Sequence, residues 1–269
     1  MNFESMITVS DMSSFLFCKR KFFLNKVYEI RTKPTKREIT GTIVHKLVER
    51  FSGMQDALAD MITRNDDYKI ILFKVHSKLE KEKEDIINGF KKKNNYVDDK
   101  LERALKNITL KESLFFAKLF NDFVSKNPIF GEELKKKIRP KIRGEENVSS
   151  EKLKIKGRVD RIIDYGNFNV AVEYKTTFKP EKIWDNQKIQ VGSYILMLNE
   201  KNKTKFKKGF LIYLLDYSIV NINLDSDLDS KIRRINKEIR NVLSSRRIPK
   251  RIESNKCKSC ELRNYCMKL

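Results

Sequence analysis

The residues best suited to chemistry lie in one stretch: Asp160, Glu173 and Lys175. Glu173-Tyr174-Lys175 closes the run FNVAVEYK (168–175), which reads as a strand, so Glu173 and Lys175 project from one face. Asp160 lies in the neighbouring run GRVDRIID. If 151–164 and 168–175 pair as a hairpin, both carboxylates and the lysine converge. Paired carboxylates are hard oxygen ligands that suit Mg²⁺ or Mn²⁺. Such a cation polarises a scissile phosphate and acidifies a bound water, while a lysine orients the water or stabilises developing charge. Alone, an Asp followed by Glu-x-Lys is a low-information pattern, and in a lysine-rich chain a surface ion pair explains it equally well.

Two further pairs stand at helical spacing. In Gly41-Thr42-Ile43-Val44-His45, His45 lies on a helix with Glu49 one turn later on the same face. An imidazole there could complete a metal shell and would favour Mn²⁺ over Mg²⁺; otherwise it is a packed or exposed histidine. Gln190 and Tyr194, in QVGSY, share a helix face and could touch phosphate, buttress a metal site or simply pack. The other histidine, His76, is expected on a packing or solvated face.

The four cysteines are Cys18, Cys257, Cys260 and Cys266, the last three spaced C-x2-C-x5-C. Met1 to Asp11 has no apolar signal-peptide core, and no apolar run approaches the ~20 residues of a membrane span, so a cytoplasmic protein is expected. Disulfides are improbable in that compartment, and the spacing points to a metal centre joining the chain ends. Four thiolates serve zinc or an iron–sulfur cluster, and spacing leaves both open.

These groups sit in a chain of 269 residues with 58 basic and 36 acidic side chains, a net charge of +22. An excess that large seeks a polyanion, with nucleic acid the first choice. Hydrophobic residues at 40% support a packed core rather than a disordered chain, and few Gly and Pro argue against long linkers. That core has to position the candidate residues. Residues 8–30 and 41–51 read as helices, and 54–127 as charged helices with a loop at 89–100. After Pro128 the period becomes two: strands are expected at 134–143, 151–164 and 168–175, with GEENVSS (144–150) as a turn. A helix at 181–200, strands at 208–215 and 219–224, and a basic helix at 226–245 complete the pattern. The expected class is α/β (α+β), a central mixed sheet flanked by helices. Its parts are N-terminal helices (1–50), a helical insertion (51–134), a core (135–248) and a cysteine segment (249–269).

SDMSSFLFCKRKFFL (10–24), GTIVHKLVE (41–49), GRVD (157–160), VEYKTT (172–177), QVGSY (190–194) and CKSCELRNYC (257–266) occur in an order that resembles a known family. It is the RecB-like branch of the PD-(D/E)XK nucleases, and most closely the iron–sulfur exonucleases of CRISPR systems, the fourth of the Cas core families. Lys19 stands where many members have proline, and 51–134 exceeds the usual helical connection. The resemblance implies a restriction-endonuclease-like core and a [4Fe–4S] cluster on Cys18, Cys257, Cys260 and Cys266. It implies Mn²⁺ or Mg²⁺ on His45, Asp160, Glu173 and the Tyr174 carbonyl, with Lys175 catalytic and Gln190 and Tyr194 positioning. The implied activity is 5′→3′ degradation of single-stranded DNA and prespacer trimming with the CRISPR integrase. The alternatives are a non-catalytic DNA-binding adaptor and a stand-alone or viral recombination nuclease with endonuclease activity.

Overall fold

A computed structural model describes residues 6–94, 99–201 and 206–269. A two-residue strand β1 (Ile7–Thr8) leads into α1 (Val9–Phe17), which Thr8 and Asp11 close with a reciprocal capping box. The helix expected over 8–30 is broken. Cys18 adopts extended backbone (φ −162°, ψ 114°), and its sulfur accepts the Lys21 N–H at the start of α2 (Lys19–Val27). Next come α3 (Lys36–Ser52), with a Thr35/Glu38 capping box, and the short α4 (Gln55–Ala59). The long α5 (Tyr68–Asn94) and α6 (Asp99–Val124) pack side by side. Part of the loop expected between them, 95–98, lies outside the described residues.

The reading of 134–143 as one strand is corrected. It begins within α7 (Gly131–Lys137), where Leu134 and Ile138 are buried one turn apart, and only β2 (Lys141–Arg143) is extended. GEENVSS, expected as a turn, contains β3 (Glu146–Ser150), paired antiparallel to β4 (Ile155–Val159). Pairing with β4 overrides the turn preference of Asn and Ser. The chain bends at Asp160 and continues as β5 (Arg161–Asp164), then returns as β6 (Asn169–Lys175), the expected hairpin. Helix α8 (Asp185–Lys201) crosses over to β7 (Lys208–Tyr213), which lies parallel to β6. Strand β8 (Ser218–Asn223) and α9 (Ser226–Ser245) follow. After them comes a 3₁₀ turn (Asn255–Ser259) and α10 (Arg263–Lys268).

The order β2-β5-β6-β7-β8 forms a mixed five-stranded sheet, and β1-β4-β3 forms a smaller one. Alternation along β6 divides the molecule into two cores. Val170, Val172 and Tyr174 pack against α3, α4, α5, α6 and α7. Ala171 turns the other way, toward α1, α8 and α9. The class expected from the sequence, a central mixed sheet flanked by helices, is therefore the fold observed. Among the described residues no helix is long and apolar enough to cross a membrane.

Candidate active site

The bend at Asp160 marks where one strand leaves the small sheet and enters the large one. Freed from either ladder, the Asp160 side chain accepts the Tyr174 backbone N–H at 2.8 Å through Oδ2. That bond fixes Asp160 beside Glu173 and Lys175. Its other oxygen, Oδ1, lies 3.3 Å from His45 Nδ1, supplied by α3. Burial works against a charged His45, but the Asp160 hydrogen bond and charge, helped by Glu173, outweigh it and raise the imidazole pKa.

On the α8 side of the sheet, Glu173 Oε1 is held twice: by Lys175 Nζ at 2.7 Å and by Gln190 Nε2 at 2.6 Å. The Gln190 carbonyl accepts from Lys175 Nζ at 2.6 Å, so one carboxamide bridges carboxylate and ammonium. Gln190 also donates to Tyr194 OH at 3.2 Å, as expected for residues four apart on a helix. Two glycines let α8 approach. A Cβ at Gly157 would sit 2.8 Å from a Tyr194 ring carbon, and one at Gly192 would sit 2.9 Å from side chains of α9. Glu173, Lys175, Gln190 and Tyr194 thus form one hydrogen-bonded cluster with Asp160 and His45 beside it, and Tyr174 enters through its amide, which holds Asp160, rather than through the carbonyl that the resemblance named.

The donors fit a divalent cation. Asp160 and Glu173 are only 8% and 4% exposed, and Glu173 Oε2 is buried with no hydrogen-bond partner. A buried orphan carboxylate oxygen is costly unless something positive joins it. Burial first, then the charge of Asp160, pushes the Glu173 carboxyl up to about 7, despite the nearby Lys175 and His45. As placed, no three His, Cys, Asp or Glu side chains among the described residues close around a shared ion. Internal hydrogen bonds occupy Glu173 Oε1 and both oxygens of Asp160 instead.

The four cysteines, none of them in a disulfide, line one cavity of about 170 Å³ between α2 and the C-terminal segment. Arg20 Nε donates to Cys266 Sγ at 3.2 Å, and the Lys21 N–H points at Cys18 Sγ. Donors aimed at sulfur favour the thiolate form that a metal needs. Four thiol donors are chemically suited to zinc or an iron–sulfur centre, though as placed no three of them close around one ion.

Sequence reasoning missed two groups. Glu145, ion-paired to Arg158 at 2.7 Å, has its carboxyl raised by burial and by the charges of Glu49 and Asp160, so the site's acidic field extends beyond the motifs. Arg161, next to Asp160, pairs with Glu112 of α6 in a buried network. A charged residue inside the apolar stripe of α6 was the available signal. His76 meets Ser113 at 3.1 Å, away from the candidate site.

A family pattern described as the PD-(D/E)XK nuclease superfamily matches residues 6–267. Over 126 residues the chain is 31% identical to a "CRISPR-associated exonuclease Cas4/endonuclease Cas1 fusion" of Leptospira interrogans. That match covers 44% of this chain and 23% of the relative. Over 121 residues it is 29% identical to the "CRISPR-associated exonuclease Cas4" of Francisella tularensis subsp. novicida, covering 45% of this chain and 60% of that one. The matches thus span less than two thirds of either relative. A solved structure titled "Crystal structure of SSO0001" aligns over 94% of both chains, at 15% identity and a TM-score of 0.32, too loose to carry an argument. With the nuclease pattern running nearly end to end, the chain belongs to the PD-(D/E)XK nuclease superfamily.

Proposed function

We propose that this chain is a metal-dependent deoxyribonuclease that degrades single-stranded DNA from the 5′ end. The observation that carries the reading is the convergence of Asp160, Glu173, Lys175 and Gln190 on a buried site with one orphaned carboxylate oxygen. His45, Asp160, Glu173 and the Tyr174 carbonyl would hold Mn²⁺ or Mg²⁺. That ion supplies Lewis-acid polarisation of the scissile phosphate and acidifies the attacking water. Lys175 donates hydrogen bonds to the water or to the phosphoryl oxygens on which negative charge builds. Gln190 keeps Lys175 and Glu173 in register, and Tyr194 steadies Gln190. The net charge of +22 supports a DNA substrate, gripped through its backbone without reading sequence.

Cys18, Cys257, Cys260 and Cys266 would hold a [4Fe–4S] cluster that staples the first helices to the C-terminal segment. The role is structural, since none of Asp160, Glu173 and Lys175 lines the cavity that the cysteines share. A relative fused to the endonuclease Cas1 supports work beside the CRISPR integrase, trimming DNA for spacer acquisition.

Polarity is tested with single-stranded DNA labelled at one end and blocked at the other. The proposal expects a 5′ block to stop degradation and a 3′ block to leave it intact. The reverse pattern, or cleavage of closed circular single strands at the same rate, refutes 5′ exonuclease action.

A further inference from the structure

We infer that the loop between β6 and α8, residues 176–184, is a base-stacking platform: Phe178 and Trp184 take unpaired nucleobases while neighbouring lysines hold the phosphates. This deepens the nuclease reading above and rests on it.

The loop lies beside the candidate site. The loop leaves the sheet at Lys175 and enters α8, whose Gln190 returns to Lys175 at 2.6 Å. Both its ends are pinned to the candidate site. Phe178 is three residues past Lys175, at most about 11 Å of extended chain. Trp184 precedes Gln190 by six residues, about 9 Å along a helix axis.

Phe178 is 62% and Trp184 54% exposed, and neither joins either hydrophobic core. The loop is nonetheless anchored. Ile183 packs against the core, the Lys179 N–H meets Asp216 Oδ2 at 3.3 Å, and the Trp184 carbonyl accepts the Gln187 and Lys188 amides. A held loop that displays two large rings to water keeps them available for a partner.

Charge selects that partner. Lys179 and Lys182 are exposed on the loop and Lys188 lies in the first turns of α8. Of the two acids among them, Asp185 is taken by Lys231 at 2.7 Å. Lysines interleaved with aromatics suit a single strand, whose bases offer free faces; the bases of a duplex are already stacked on one another.

Trp184 is the only tryptophan in the chain, so its fluorescence reports directly on the platform. In EDTA, labelled oligo-dT, an abasic strand of equal length and a blunt duplex are titrated, reading anisotropy for binding and tryptophan emission for stacking. We expect quenching by oligo-dT, with the abasic strand and the duplex leaving emission nearly unchanged. Trp184→Ala and Phe178→Ala each weaken oligo-dT binding by about fivefold or more, and Trp184→Phe recovers most of the loss. Binding of oligo-dT without quenching, or equal quenching by the abasic strand, overturns the platform and leaves the nuclease reading standing. No binding by either strand in EDTA overturns the platform, and absence of cleavage in Mn²⁺ or Mg²⁺ overturns the nuclease reading on which it rests.

Discussion

Arg161 grips Glu112 with both guanidinium prongs, at 3.1 and 3.0 Å, fully out of water. The pair ties α6 to β5 one residue after Asp160. Tyr217 OH donates to Glu112 at 2.7 Å, Arg161 Nε donates to Ser52 Oγ at 2.6 Å, and the guanidinium stacks 5.3 Å from the Tyr174 ring. Burial opposes the Arg161 charge, but Glu112 more than compensates and raises its pKa. Removing one partner strands a buried charge, so Glu112→Ala should cost about 3–5 kcal/mol. In a chain of this size that lowers Tm by roughly 6–20 °C. Replacing both partners with apolar residues of similar volume should recover much of the loss. A melt of the single variant within 2 °C of wild type would show that the pair does not brace the sheet.

The Glu173 carboxyl, raised to about 7 from an ordinary 4.5, sets a pH window. The metal-free folded chain keeps a proton that the unfolded chain releases above about pH 4.5. This group's contribution is therefore fully present at low pH and is lost as pH rises through 7. A cation must displace that proton. Mn²⁺ affinity should climb between pH 5.5 and 7.5, with up to two protons released at the lower end, one from Glu173 and one from His45, whose imidazole pKa is also raised. Calorimetry in buffers of different ionisation enthalpy counts the protons, and His45→Ala removes the second. Affinity that stays level across this range would contradict the role given to Glu173.

The Gln190 bridge invites a graded test. Gln190→Leu removes both strong bonds to the Glu173–Lys175 pair, and turnover should fall about 10- to 100-fold with the fold preserved. Tyr194→Phe loses the 3.2 Å contact but leaves the Gln190 bridge in place, and should fall less. Turnover by Gln190→Leu within twofold of wild type would reduce this residue to packing.

The cysteine set predicts colour. Protein purified without oxygen should be brown and bleach on reduction, and Cys→Ser at position 18, 257, 260 or 266 should abolish the visible absorption. The C-terminal segment is otherwise held mainly by buried Leu262, the Lys21–Glu261 ion pair and Arg20, which bonds the Pro249 carbonyl at 2.9 Å. The variants should therefore release that segment to proteases first. A colourless wild-type protein with one zinc per chain would replace the cluster with a zinc staple.

The parts of the site that follow local rules were readable from sequence. Period two placed Glu173 and Lys175 on one face, the β5–β6 hairpin brought Asp160 near, and i,i+4 spacing paired Gln190 with Tyr194. What escaped depends on partners far along the chain. Arg161 and Glu112 are separated by 49 positions, and no local pattern joins them. Residues 146–150 look like a turn until β4 lies beside them. Cys18 sits in a run that reads as one helix, and its break became visible only with the backbone.

The central claim is that Asp160, Glu173 and Lys175 form one metal-dependent cutting site. Its most direct test is cleavage of 5′-accessible single-stranded DNA in Mn²⁺ or Mg²⁺ by wild type and by Asp160→Ala, Glu173→Ala and Lys175→Ala. Circular dichroism checks that each variant is folded. The account predicts metal-dependent shortening by wild type and a loss of about 100-fold or more in every variant. Folded variants that cut at the wild-type rate would contradict it.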